Sequence, residues 1–304
     1  MSPKDAAPSK LNRAAAAAPP HAWFGVSAIF HYLGPSFAVL LFPVVGVLGV
    51  AWFRIATAAV VFATFTRPWH TLWAADTKTR WLLIGLGICL AVMNTSFYLA
   101  LDKLPMSLVA AMEFVGTIGV ALWGLRSGRN AVALLLTIIG VFVLIDVKWA
   151  SDPLGLFWAA LNAALFVGYI LLGHKASEGG SSGGVERLGA AMAIALLILM
   201  PIGFVEAVRA FGMPMVVLAG IGVGICSSVI PYVCDQLAMS RLPRSSFALL
   251  LALLPATATI IAAVVLAQIP TLRDLVGILL VMTGIAIHSP APTPAPAVQK
   301  EVVE

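Results

Sequence analysis

Charge is what this sequence has least of. Asp, Glu, Lys and Arg make up 10% of its 304 residues, against about 25% in soluble domains. So small a polar surface cannot cover a soluble protein of this length. Cysteine is rarer still. Cys89, Cys226 and Cys234 all fall inside apolar stretches and form no CxxC pair, which excludes a disulfide framework and a cysteine zinc site. There is no Asp-rich metal motif and no glycine-rich phosphate loop. Magnesium chemistry, ATP drive and any cofactor are therefore not expected. His70 and Asp76 are one position too far apart for the four-residue gap of membrane acyltransferases. An integral-membrane enzyme stays a remote alternative, as does a receptor that binds without turnover.

What is present is apolar. The composition is 61% hydrophobic and the mean hydropathy is +1.02. A membrane helix needs about 20 mostly apolar residues. Ten such spans are expected, at 22–41, 46–66, 81–100, 106–125, 131–147, 154–173, 187–205, 214–238, 246–267 and 272–288. Phe42-Pro43, Arg67-Pro68-Trp69 and Ser127-Gly128-Arg129 punctuate them, and Glu178 to Gly184 reads as the most flexible loop. Residues 1–20 carry a polyalanine stretch too short for a signal-peptide core, and 289–304 alternate Pro and Ala. Both read as disordered cytoplasmic tails.

The net charge of +5 is explained by orientation rather than by nucleic acid. With the N-terminus in the cytoplasm, thirteen Lys and Arg fall inside and four outside, with Arg54 within a span. The positive-inside rule then puts both termini in the cytoplasm.

The chain also repeats itself. Ala100-Leu101-Asp102-Lys103-Leu104-Pro105 returns 138 residues later as Ala238-Met239-Ser240-Arg241-Leu242-Pro243. Arg129, Val132, Leu135, Leu136 and Gly140 match Arg273, Val276, Leu279, Leu280 and Gly284 at an offset of 144. Five spans separate the copies, so the second half must be upside down. The expected fold is an all-α integral membrane protein, with inverted five-helix repeats at 21–148 and 149–288 around a central cavity.

Polar groups deep in spans are candidates for that cavity. Glu113 and Arg54 are the deepest charges, both about 12 Å from the outer side at 1.5 Å per residue. They read either as a structural ion pair or as cavity residues that meet a charged substrate or proton. His31 precedes Gly34-Pro35, which should kink or unwind the first span. Asn94 and Tyr98 end the third span, Asn162 and Tyr169 share a face of the sixth, and Ser227 and Tyr232 lie in the eighth. Asp235, near the cytoplasmic end, is either a solvated end residue or an inner gate. Pro255 should break the ninth span. Gly220 and Gly224 suggest close helix packing.

These residues resemble the drug/metabolite transporter superfamily, in its EamA branch, and within it the threonine/homoserine exporter (RhtA-like) group. The likeness spans about 22–288. It is carried by Phe42-Pro43, Gly46, Gly49 and Arg54, then Pro68-Trp69, Met93-Asn94 and Glu113-Phe114 with Gly116. In the second half it is carried by Tyr169-Ile170-Leu171, Pro201-Ile202-Gly203, Pro231-Tyr232 and Arg241-Leu242-Pro243 with Phe247. The resemblance implies a bacterial-type inner-membrane exporter of small amino acids or related metabolites. It also implies recurrent polar positions at Glu113, Arg54 and Asp235. Thr117 stands where a Pro is usual, Leu254 where Glu is frequent, and Ala267-Gln268 in place of Gly-Glu. Two carboxylates of the second half are thus missing.

The expected function is secondary export by alternating access, with protons as a candidate coupling ion. The alternative is export of drugs or hydrophobic metabolites through an aromatic cavity of Trp52, Phe53, Phe97, Trp123 and Phe166.

Overall fold

A computed structural model describes residues 18–113, 128–144, 152–177, 181–239, 241 and 254–287. The described residues are helical throughout, apart from short connections. The tails, the fourth span beyond Glu113, and the stretch from Leu242 into the ninth span lie outside them. The protein is an all-helical membrane protein. Among the described residues, six helical runs are long and apolar enough to cross a bilayer, Pro214–Ala238 counting as one.

In chain order the helices are α1 (Pro20–Val45), α2 (Val47–Phe65), the short α3 (Pro68–Ala74), α4 (Thr77–Leu101) and α5 (residues 106–113). Then come α6 (Gly128–Leu144), α7 (Pro153–Ser177) and α8 (Ser181–Ala207). A 3-10 turn at Val208–Gly212 leads into α9 (Pro214–Gly224), a π-helical turn at Ile225–Val229, and α10 (Ile230–Met239). α11 (Leu254–Leu266) and α12 (Leu272–Ile287) complete the chain.

Several boundaries differ from those expected. α1 runs unbroken through both Pro35 and Pro43. The Gly34-Pro35 pair therefore does not unwind it. A proline removes one helical donor, which a packed membrane helix tolerates because neighbours satisfy the freed carbonyl. The break comes at Gly46, whose φ of +89° suits a residue without a Cβ. The expected loop at 178–184 is shorter, because Ser181 already begins α8. The eighth span runs Pro214–Ala238 as expected, with the π turn set between α9 and α10 in one continuous helical run. Pro255 is the second described residue of α11, and the break expected of it in the ninth span involves residues outside the described ones.

α3 leaves Trp69 and Trp73 exposed, as is Trp81 at the start of α4. Arg80 ties its end by bonding the Leu72, Trp73 and Ala75 carbonyls. Indoles at a span end are the expected interfacial anchors.

The core packing follows the sequence repeat. α6 crosses α12 through two glycines. A Cβ on Gly140 would lie 2.7 Å from the Gly277 carbonyl and 2.8 Å from Val281. A Cβ on Gly284 would strike Ala133 and Thr137. Adding 144 to Ala133, Thr137 and Gly140 gives 277, 281 and 284, so each contact has a reciprocal. The arginines obey the same rule. Arg129 Nε donates to the Ile287 carbonyl at 2.6 Å, and Arg273 Nε donates to the Val143 carbonyl at 2.7 Å. The pairs α4–α7 and α1–α10 are likewise in extensive contact, as are α2 and α8.

A Val at Gly140 and, separately, at Gly284 should each overpack this crossing, at a cost of about 1–3 kcal/mol. Both variants should melt below wild type, by similar amounts, in a thermal-stability assay of the detergent-solubilised protein. A wild-type melting temperature for either would contradict the reciprocal crossing.

Candidate functional site

The site is built around a buried arginine. Arg54, on α2, is only 3% exposed. An unpaired charge inside a membrane protein is costly, so its donors need acceptors. Pro231 creates one of them. It has no N–H, so the Ser227 carbonyl, four residues earlier, loses its α-helical donor. The helix widens into the π turn at this point, and Arg54 Nη2 donates to that carbonyl at 2.9 Å. Arg54 Nε donates to Ser228 Oγ at 2.8 Å. The rings of Tyr98 and Phe97 lie 5.2 and 5.8 Å from the guanidinium carbon, within cation–π range.

Small residues let the helices meet closely enough for these bonds. A Cβ on Gly34 of α1 would come within about 2.5 Å of the Ser227 backbone, and Gly220 and Gly224 of α9 face Phe53 and Thr57 of α2. The glycine pair of α9 is a packing face, as expected.

Glu113, on α5, is 2% exposed. Its Oε1 accepts from Asn162 Nδ2 at 2.7 Å, and the Tyr32 hydroxyl faces the same carboxylate. Arg54 and Glu113 do not form a salt bridge. Among the described residues the ion pair is Lys103 with Asp152, at 4.0 Å. The structural-pair reading is thus corrected, because Arg54 is drawn to α9–α10 by the freed carbonyl. Both charges instead line one cavity with His31, Met93, Asn94, Phe97, Asn162, Phe166 and Tyr232. It holds about 10 Å³, room for about one water. Arg54 Nη1 and Glu113 Oε2 have no hydrogen-bond partner.

Most of the expected residues converge here. Asn94 Nδ2 donates to its own helix at the Leu90 carbonyl and meets the Tyr232 hydroxyl at 3.3 Å. Those two residues are 138 apart, the offset of the Leu-Pro repeat. His31 packs edge-on to Tyr32 and Phe166. Three expected residues stand behind the wall. Tyr98 lies under Arg54, Tyr169 stacks on Tyr232 with centroids 5.5 Å apart, and Ser227 contributes its carbonyl. Asp235 is buried rather than solvated, and its Oδ1 accepts from Ser27 Oγ at 2.5 Å. It links α10 to α1 on the far side of Tyr232.

Tyr32 and Ser27 carry no signal in the sequence, because their roles depend on which faces meet. The π turn had a signal: a proline four residues after the first serine of a pair in a span. Of the aromatic set, Phe97 and Phe166 do line the cavity. Trp52 packs on Phe204 and Phe211, Phe53 packs on Gly220, and Trp123 lies outside the described residues.

Comparison with known proteins agrees with the geometry. Residues 153–289 match the model of the EamA-like transporter family. The threonine/homoserine exporter RhtA of Escherichia coli K12 is 32% identical over 230 residues, covering 75% of this chain and 76% of its own. RhtA of Salmonella typhimurium LT2 is 31% identical over the same lengths. One crystal structure aligns with 88% of this chain and 96% of its own, at a TM-score of 0.55 and 16% identity. It shows the fold alone.

Ser228→Ala would strand the buried Arg54 Nε, at a cost of about 1–3 kcal/mol. Ser227→Ala keeps the carbonyl bond and should cost much less. Melting temperatures in detergent test the order; a larger loss for Ser227→Ala would contradict this anchoring of Arg54.

Proposed function

The chain belongs to the EamA-like transporter family, and on that premise we propose that it exports small, threonine- or homoserine-like amino acids by secondary active transport. The observation that carries this reading is the pair of unsatisfied charges in one cavity. Arg54 Nη1 and Glu113 Oε2 lie buried, the guanidinium nitrogen without an acceptor and the carboxylate oxygen faced by the Tyr32 hydroxyl, and the two side chains form no salt bridge. A zwitterion supplies what both lack: its carboxylate to the guanidinium, its ammonium to the carboxylate. Asn94, Asn162, His31 and Tyr232 offer donors and acceptors to a side-chain hydroxyl. Met93, Phe97 and Phe166 form a short apolar wall.

A cavity of about 10 Å³ admits no amino acid, so loading requires the helices to part. Alternating access follows from the proposed architecture: ten spans, in two inverted repeats at 21–148 and 149–288. The reciprocal α6–α12 contacts at offset 144 and the Asn94–Tyr232 contact at 138 support that doubling. The Lys and Arg distribution supports both termini in the cytoplasm of a bacterial-type inner membrane.

Proton coupling belongs to the same reading. A carboxylate tightly paired with arginine would hold its negative charge against protonation. Glu113 has no such pairing, so it can exchange the substrate ammonium for a proton. Asp235, tied to Ser27, forms the inner closure between α1 and α10.

Efflux of labelled threonine and homoserine from proteoliposomes tests the proposal. Arg54→Ala and Glu113→Gln should each lower net efflux on the order of tenfold or more, the worth of one charge-assisted hydrogen bond. Glu113→Gln should retain exchange between equal amino-acid pools yet no longer respond to an imposed pH gradient. Wild-type rates in both variants, or no amino acid moved by the wild type, would end the reading. A pH response that survives in Glu113→Gln would place the proton elsewhere.

A further inference from the structure

A second cleft, of about 400 Å³, lies between the turn after α4 and the turn after α11. That is within the range of small-molecule sites, whereas the central cavity has room for about one water. In a chain so poor in charge, four charged residues line this one cleft: Asp102, Lys103, Arg273 and Asp274. Two of the four are committed. Arg273 holds the Val143 carbonyl, and Asp274 Oδ2 accepts from Thr271 N and Oγ1. Lys103 has only the 4.0 Å contact with Asp152, both side chains about a third exposed. Such a pair is worth little and exchanges readily. Asp102 beside it is exposed.

One helix runs from the cleft to the central site: α5 lines the cleft with Ser107 and Leu108 and the cavity with Glu113. Met106 and Leu108 are each 1% exposed and open α5, the helix that carries Glu113 about 10 Å further on. Gln268, from the turn after α11, accepts from the Met106 N–H at 3.4 Å. The Ser36 hydroxyl meets Met106 Sδ at 3.6 Å. Both contacts are long and neutral, so the seal breaks at little cost. One wall of the cleft comes from each half of the chain, as a mouth between the two requires.

We propose that this cleft is a second binding site for a zwitterionic amino acid, at the exit mouth, separated from the central cavity by a Met106 plug latched by Gln268. Lys103 takes the carboxylate and Asp102 the ammonium, while Ser107 and Thr259 offer hydroxyls to the side chain. A substrate released from Arg54 and Glu113 then meets a weaker, hydrated pair before it leaves. The ligand class rests on the transport reading above; the cleft does not.

Cysteine labelling tests it. In a chain with Cys89, Cys226 and Cys234 replaced by alanine, Ser107→Cys and, separately, Ile269→Cys report on the cleft through their rate with an impermeant maleimide. Threonine should slow labelling several-fold at both positions. The slowing should persist with Arg54→Ala and vanish with Asp102→Asn plus Lys103→Gln. Labelling that threonine never slows, or no labelling at either position, would overturn the proposal. Slowing that vanishes with Arg54→Ala would overturn it too, since protection would then come from the central cavity. Efflux that fails while protection persists removes the central reading alone. Efflux without protection removes this one alone.

Discussion

The bond from Arg54 to the Ser227 carbonyl organises much of what surrounds it. A guanidinium at this depth demands acceptors, and α-helices have none to spare because every interior carbonyl is taken. Pro231 frees one. The π turn, the close seat of Gly34 against Ser227, and the glycine face of α9 on α2 all serve that single contact. Once it is made, Arg54 is not available to Glu113. The carboxylate then stands in the same cavity with an oxygen unmatched, and the site acquires its polarity.

The all-helical membrane class was legible in the sequence, for a physical reason. Membrane spans must be long and apolar, and punctuation by Gly, Pro and charge is coarse enough to read. The errors fell where a local rule met tertiary packing. Pro35 and Pro43 looked like breakers, yet α1 absorbs both because neighbouring helices constrain it. Ser181 to Gly184 looked like a loop, yet these residues open α8. Of the site, Arg54, Glu113, His31, Asn94, Asn162 and Tyr232 were readable because polar atoms in a bilayer are rare and expensive. Their pairing was not. Equal depth suggested that Arg54 and Glu113 meet; only the freed carbonyl on α9–α10 decides otherwise. Tyr32 and Ser27 were invisible because a tyrosine or serine in a span is usually mere packing.

The doubling of the chain is plainest where it has no chemistry to perform. α6 and α12 keep reciprocal glycines and reciprocal arginines. Around the cavity the two halves diverge. Glu113 and Arg54 both come from the first half, and the second half contributes the Ser227 carbonyl, Asn162 and Tyr232. Asn94 and Tyr232 show the divergence at one point, since residues at equivalent places in the two copies touch each other with different side chains. A frame that repeats in sequence thus encloses a site that does not.

The paired arginines at the two ends of α6 and α12 carry a mechanical consequence. Sliding one helix past the other would break both bonds at once, and rolling it would drive Gly140 or Gly284 off its seat. The couple therefore behaves as a stator. In the proposed transport cycle, rocking between inward and outward states is carried by the helices around the cavity, turning against a post that itself stays still.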